Sequence, residues 1–190
     1  MSTDVTTSPI TGTWAIDPTH TTLGFSARHA MVAKVRGRFA EFEGTFVLDG
    51  EDISRSTASL TIQAGSIDTK TPDRDAHLTS PDFLDVASFP TLTFVSTAAR
   101  KTGETTFVVT GDLTIKDVTR SVDITFELLG VNADPWGGTR IGFEGSTEIN
   151  RKDFGLTWNV ALETGGVLVG EDISIAIEAE LVKQPDAQAA

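Results

Sequence analysis

The stretch SVDITFELL at residues 121–129 places an apolar side chain at every second position. This period of two is typical of a β-strand that turns one face to a core and the other to water. The same alternation recurs in six other runs, at 60–64, 92–94, 107–109, 113–115, 141–143 and 173–177. The sequence therefore predicts a mostly antiparallel β protein in which each strand has one dry face.

Turn-forming residues separate these runs and predict consecutive hairpins, for a total of about eight or nine strands. The turn sequences are LDGED at 48–52, RKTGE at 100–104, IKDVTR at 115–120 and NADPWGG at 132–138. Residues 36–48 and 105–115 could each extend about 35 Å as a single strand. Strands of that length favour an all-β fold built as an elongated antiparallel barrel of about eight strands.

Helical signals are confined to residues 71–88. Thr71-Pro72 and Ser80-Pro81 each place an N-cap residue before a proline at the first helical position, which predicts two short helices beside the barrel. A chain of 190 residues has the size of one ordinary domain. We expect that domain over residues 10–184, with flexible tails at 1–9 and 185–190, which lack apolar periodicity.

Charge and composition exclude several classes of partner. The 15 Lys and Arg residues against 27 Asp and Glu give a net charge of -12, which argues against nucleic acid and against anionic surfaces. The N-terminus has no basic segment followed by an apolar core, and no run approaches the ~20 apolar residues of a membrane span. We therefore expect a cytoplasmic protein without stable membrane insertion, and the sequence leaves a homodimer open.

Candidate catalytic and metal-binding groups are sparse. His20, His29 and His77 are the number of histidines that a catalytic zinc needs, but no two of them have ligand spacing. No cysteine and no G-x-S-x-G motif is present. We expect no catalytic residue, metal or cofactor. The alternatives are a histidine- or metal-dependent hydrolase of a small hydrophobic substrate, and a packed, stress-related interaction module without ligand.

Phenylalanine is the abundant aromatic residue, with eleven copies against no tyrosine. Several phenylalanines share the face of aliphatic neighbours within their predicted strands, and small residues on the same faces leave room. A barrel of about eight strands holds either packed side chains or one small apolar ligand. The interior could therefore contain a binding cavity.

Longer motifs carry a family resemblance. They are TWAIDPTHTTLGFSARHAMVAKVRGRFAEFEGTF at 13–46, DTKTPDRDAHLTSPDFLDVASFPTLTF at 68–94, GDLTIKDVTRSVDITFELLG at 111–130, INRKDFGLTWN at 149–159 and VGEDISIAIEAEL at 169–181. From about residue 12 to 183 the chain resembles the YceI-like family. The resemblance implies a bacterial, lipocalin-like barrel whose tunnel holds a long isoprenoid, such as a polyprenyl phosphate or an isoprenoid quinone, or another long-chain lipid. It implies no catalytic residues.

The predicted function is binding of such a lipid for transport, storage or protection. Lipid contacts are expected from Phe25, His29, Phe42, Phe46, Phe94, Phe126, Phe143 and Trp158. Arg74 and His77 lie three residues apart on one face of the first predicted helix, where a cation and an imidazole could meet a phosphate. The structural alternative is a surface ion pair of Arg74 with Asp73 or with another carboxylate.

Overall fold

A computed structural model describes residues 9–185, and eleven antiparallel strands in one sheet dominate it. The strands are β1 (Gly12–Ile16), β2 (Thr22–His29), β3 (Ala33–Phe39), β4 (Phe42–Leu48), β5 (Thr57–Gln63), β6 (Ile67–Asp68), β7 (Thr91–Lys101), β8 (Thr106–Ile115), β9 (Val118–Ala133), β10 (Thr139–Asn150) and β11 (Val169–Lys183). One α-helix, α1 (Pro72–Thr79), and three 3-10 turns, Ile53–Arg55, Ala64–Ser66 and Arg151–Phe154, complete the fold. Apart from Pro9 and Pro185, the predicted tails lie outside the described residues.

The sheet closes on itself through β11. Eight strands follow one another in the order β1, β4, β5, β7, β8, β9, β10 and β11, and β11 pairs back to β1 with Leu181 opposite Ile16. Further along β11, Ile177 lies opposite Leu23 of β2, so that β2, β3 and β6 extend the sheet beside the barrel. Closure leaves no exposed edge in the eight-strand ring. The predicted antiparallel barrel of about eight strands is confirmed.

Residues 36–48 form two strands, not the single long strand that their composition predicts. Ala40 and Glu41 separate β3 from β4, and both of their backbone N–H groups donate to Ser66 Oγ, at 3.1 and 3.0 Å. The Ser66 hydroxyl thus accepts the hydrogen bonds that carbonyls of a neighbouring strand would accept if the strand were continuous. The break sends β3 to pair with β2 and β4 to pair with β1 and β5.

The first predicted helix is present as α1, with Pro72 at its start. The second prediction is wrong, because residues 81–84 form turns. The N–H groups of Leu84 and Val86 donate back to the carbonyls of Leu78 and Thr79, at 3.0 Å each. Asp85 then adopts a φ of 48°, a left-handed conformation that a right-handed helix does not contain.

Two apolar clusters lie at opposite ends of the barrel. The helix end, where α1 and the 3-10 turn Arg151–Phe154 lie, has a core of Ala64, Ile67, Phe83, Leu84, Leu92, Ile115, Phe154 and Leu156. The Trp14 end has a core of Trp14, Ile16, Leu23, Phe42, Ile141, Phe143 and Leu181. Within residues 9–185 no helix is long and apolar enough to cross a bilayer.

Candidate functional site

A cavity of about 540 Å³ lies inside the barrel, between the two end clusters. Its wall is almost entirely hydrocarbon from the inward faces of the strands. Its volume falls within the range of about 300–1,000 Å³ that is typical of small-molecule sites. The lining reaches exposed residues at both ends, His29 at the helix end and Glu104 and Thr105 at the Trp14 end.

Three phenylalanines of the wall lie over glycines of neighbouring strands. A β-carbon added to any of these glycines would approach the ring within 2.3 to 2.4 Å. The pairs are Phe25 over Gly37, Phe94 over Gly111 and Phe126 over Gly145. Because each glycine leaves the space of a side chain free, the ring lies along the wall and the cavity beside it stays open.

The predicted contact residues divide unevenly between the cavity wall and the core. The cavity is lined by Phe25, His29, Phe46, Phe94, Phe126, Phe143 and Trp158. Phe42 is not part of that lining and packs into the Trp14-end core, where it is 9% exposed. Both head-group candidates, Arg74 and His77, also border the cavity.

Arg74 projects from α1 and is held by neutral oxygens. Its Nε donates to Thr69 Oγ1 at 2.7 Å, and its Nη2 donates to the Thr69 carbonyl and to Thr71 Oγ1 at 2.9 Å each. Asp75 accepts from the same threonine hydroxyl at 2.5 Å and so orients it. Within residues 9–185 no carboxylate lies within 4 Å of the Arg74 guanidinium and its Nη1 has no hydrogen-bond partner, so the predicted ion pair with Asp73 does not form.

His77 is fixed by both a carboxylate and an aromatic contact. Its Nε2 donates to Asp82 Oδ2 at 2.9 Å. The imidazole stands edge-on to Trp158, with ring centroids 4.6 Å apart, and edge-on to Phe83 at 5.1 Å. The histidine therefore holds the Trp158 ring in the cavity wall, and Nδ1 is the nitrogen that stays available to a ligand.

Arg151 is the functional candidate that sequence reasoning missed. It is 3% exposed and borders the cavity. Its guanidinium donates to three carbonyls, those of Gly170 at 2.9 Å, Leu156 at 2.5 Å and Val169 at 3.4 Å. Burial lowers the pKa of Arg151 and the charge of Glu171 acts in the opposite direction, but an arginine stays protonated in proteins. A second positive charge thus lies at the helix end of the cavity.

No local signal distinguishes Arg151 from the other arginines of the sequence. Its burial depends on the bend after β10 and on carbonyls of the segment that enters β11, both of which form only in the folded chain. The motif INRKDFG contains Arg151, but it does not indicate that this side chain is buried.

The three histidines do not come together. His20 lies in the turn before β2, whereas His29 ends that strand at the helix end. His20 forms a cluster with Asp17 and Glu180 in which the possible ligand atoms lie within 4.8 Å of one another. The Arg140 guanidinium already occupies this cluster, because its Nη1 donates to Asp17 at 2.8 Å and also to Glu180.

Comparisons with known proteins agree with this architecture. A model of the YceI-like domain family matches residues 14–181. A UPF0312 protein of Ectopseudomonas mendocina is 41% identical over 138 residues, which cover 73% of this chain and 72% of that protein.

Two solved structures share the fold. The Campylobacter jejuni YceI protein is 27% identical, with a TM-score of 0.71 and coverage of 83% of this chain and 90% of that chain. A polyisoprenoid binding domain from Saccharophagus degradans is 15% identical, with a TM-score of 0.67 and coverage of 90% and 98%. The resemblance read from the sequence is confirmed, and the chain belongs to the YceI-like domain family.

Proposed function

We propose that the protein binds one long-chain isoprenoid lipid, with the hydrocarbon in the barrel and a phosphate head group at the helix end. One observation carries the proposal: an apolar cavity of about 540 Å³ is bordered at one end by Arg74 and Arg151, neither of which has a carboxylate within 4 Å among residues 9–185. Membership of the family and the polyisoprenoid-binding relative support it.

The wall suits a flexible hydrocarbon chain. Each methylene that leaves water for an apolar site contributes about 0.8 kcal/mol. The lipid's real alternative is a membrane, where its tail is equally dry, so net transfer into the cavity is close to balanced. Selectivity then depends on the shape of the wall and on the head group. A near-balanced exchange fits transport, storage or protection of the lipid better than permanent sequestration.

The charge at the helix end favours a phosphate over a quinone. Arg74 Nη1 offers N–H groups that no acceptor among the described residues uses, and Arg151 adds a second positive charge that borders the same cavity. A phosphate gains charge-assisted hydrogen bonds from such a pair. A quinone carbonyl accepts hydrogen bonds but carries no charge, so polyprenyl phosphate is the preferred ligand and isoprenoid quinone the second candidate.

Other functions have less support in the geometry. A metal-dependent hydrolase that uses histidine ligands needs them close together, yet His20 lies before β2 and His29 lies at its far end. A packed interaction module needs a filled interior, and the barrel contains a cavity. We therefore propose that the protein binds a lipid and does not act as an enzyme.

Native mass spectrometry of the freshly purified protein, followed by solvent extraction, tests the proposal. We expect one isoprenoid per chain. In subsequent titrations a polyprenyl phosphate should bind more tightly than the polyprenol of the same length, which is the matched control for the head group. A quinone that binds as tightly as the phosphate would contradict the head-group assignment. A protein that takes up none of the three would contradict lipid binding itself.

A further inference from the structure

The hairpin of β2 and β3 is basic, although the chain as a whole has a net charge of -12. Residues 18–40 contain no Asp or Glu. Four exposed cations lie on this hairpin, namely Arg28, Lys34, Arg36 and Arg38. Arg38 lies 3.5 Å from Asp68, and within residues 9–185 the other three have no carboxylate within 4 Å.

The cross-strand register concentrates this charge. Arg28 lies directly opposite Lys34, and the next position on the same face pairs Arg36 with Ser26. Like charges in directly opposed positions destabilise a sheet. Since no carboxylate among the described residues neutralises the pair, an anionic partner outside the chain is the natural source of compensation.

The tip of the hairpin is apolar, exposed and strained. Met31 is 55% exposed and Val32 is 84% exposed. Ala30 and Met31 have φ values of 48° and 63°, the left-handed pair that a tight type I′ turn requires and that Asn-Gly normally supplies. Strain of this kind clusters at functional positions. Here Met31, which is exposed, occupies a left-handed position that glycine would adopt without strain.

The tip lies beside the mouth of the cavity. His29, the last residue of β2, lines the cavity, and the next residue, Ala30, donates its N–H to the Leu168 carbonyl at 2.8 Å. Met31 also meets the loop before β11, since a β-carbon on Gly166 would lie 3.2 Å from its Cγ. Val160 in the same loop is 46% exposed and enlarges the apolar surface.

We propose that the β2–β3 hairpin docks the helix end onto an anionic lipid bilayer. Met31 and Val32 enter the head-group region, and the unpaired cations Arg28, Lys34 and Arg36 meet lipid phosphates, as is typical of basic surfaces with apolar anchors. The inference rests on the proposed function, because docking there lets a lipid pass between bilayer and cavity without crossing water. The net charge of -12 argues against anionic surfaces for the molecule as a whole, but physiological salt screens charges beyond about 8 Å, so repulsion from distant acidic residues is weakened.

Vesicle flotation tests the charged part of this surface. Protein is mixed with phosphatidylcholine vesicles that contain about one-third phosphatidylglycerol, and with vesicles of phosphatidylcholine alone. We expect binding to the anionic vesicles only, and loss of binding in high salt. Arg36→Glu should weaken the partition coefficient by at least about tenfold. Arg100→Glu is the matched control, because Arg100 is also exposed on a barrel strand, without a carboxylate within 4 Å among residues 9–185.

A second pair of variants tests the apolar tip. Met31→Ser combined with Val32→Ser should abolish flotation, whereas Trp136→Ser should not, although Trp136 is 85% exposed in the turn at the Trp14 end. Circular dichroism verifies that each variant is folded. Failure of the unaltered protein to float with anionic vesicles would overturn the proposal, as would equal losses from the hairpin variants and their controls.

The flotation assay contains no isoprenoid, so its outcome is independent of the cavity. Uptake of polyprenyl phosphate from detergent solution is measured separately by native mass spectrometry. A protein that takes up the lipid but does not float overturns docking and leaves the proposed function standing. A protein that floats but takes up no lipid supports the docking surface and contradicts the proposed function.

Discussion

At the Trp14 end Arg140 contacts three carboxylates, whereas at the helix end Arg74 and Arg151 contact only neutral oxygens. Arg140 donates to Asp17 at 2.8 Å, to Asp134 at 3.2 Å and to Glu180. The hydrogen bond to Asp17, followed by those to Glu180 and Asp134, raises the pKa of Arg140. The two helix-end arginines have no comparable counter-charge among the described residues.

The difference shows which charges serve the fold and which stay available to a ligand. Arg140 lies on β10, Glu180 on β11 and Asp17 directly after β1, so the Trp14-end cluster links the strands that close the barrel. Its charges are neutralised within the chain. At the helix end neutral oxygens position the guanidinium groups, and no carboxylate among the described residues lies within 4 Å of them.

The largest difference between the two ends should appear when a tryptophan at each end is replaced and the free energy of unfolding is measured. Trp14 is fully buried and its Nε1 donates to the Ile10 carbonyl at 2.9 Å, so Trp14→Ala is expected to lower the free energy of unfolding by about 3–5 kcal/mol. Trp158→Ala is the matched change at the helix end. It should cost less, because one side of Trp158 borders the cavity and not packed atoms. Urea denaturation measures both, and equal losses would contradict the distinction.

Ligand affinity should depend on Arg74 at the helix end and not on Arg140 at the Trp14 end. Arg74→Gln removes a charge-assisted hydrogen bond to the head group and is expected to weaken polyprenyl phosphate binding by about ten- to a hundredfold, with little change for the polyprenol. Arg140→Gln should leave both affinities unchanged and lower Tm, because three carboxylates lose their common partner. Isothermal titration and thermal melts measure the two effects. The comparison fails if Arg140→Gln weakens binding as much as Arg74→Gln does.

The wall near the Trp14 end should set tail length without affecting head-group choice. A β-carbon on Gly145 would lie 2.4 Å from Phe126 Cε1, and all three of its nearest atoms belong to that ring. Gly145→Ala should therefore push the ring into the cavity and weaken binding about fourfold for each methylene that no longer fits. Gly130→Ala is the control, since nothing lies within 4 Å of that position. Titration with a series of tail lengths measures the effect, and identical length profiles for the two variants would contradict it.

The smallest expected effect is a pH dependence at the Trp14 end. The Thr19 hydroxyl, and after it the Arg140 guanidinium, donate to Asp17 and hold its pKa well below the ordinary 3.8. Since the unfolded chain binds this proton more tightly, the carboxylate stabilises the fold above about pH 4, and that contribution is lost as the pH falls toward the lower pKa of the folded state. The Tm difference between the unaltered protein and Asp17→Asn should be largest near neutral pH and shrink below about pH 4. A difference that stays constant down to about pH 2 would show that the charge of Asp17 contributes nothing.

Local patterns in the sequence predicted the barrel, and seven of the eight side chains predicted to contact a ligand line its cavity. Side chains alternate strictly between the two faces of a strand, so the position of a phenylalanine within an alternating run indicates its side of the sheet. The same reasoning places Arg74 and His77 on one face of α1, because their spacing follows the helical period. These inferences require only neighbours a few residues away.

Only the tertiary structure decided which polar groups share an environment. The break at Ala40 and Glu41 depends on a serine 25 residues or more away. Phe42 packs into the Trp14-end core although it shares a face of β4 with Phe46, which lines the cavity. Arg151 is buried by carbonyls that come from the far side of a loop. Whether an arginine finds a carboxylate depends on which distant strands become adjacent, and a sequence period carries no information about that. The sequence by itself determined the faces of the strands, and tertiary packing determined which arginines lie against a carboxylate and which lie against neutral oxygens.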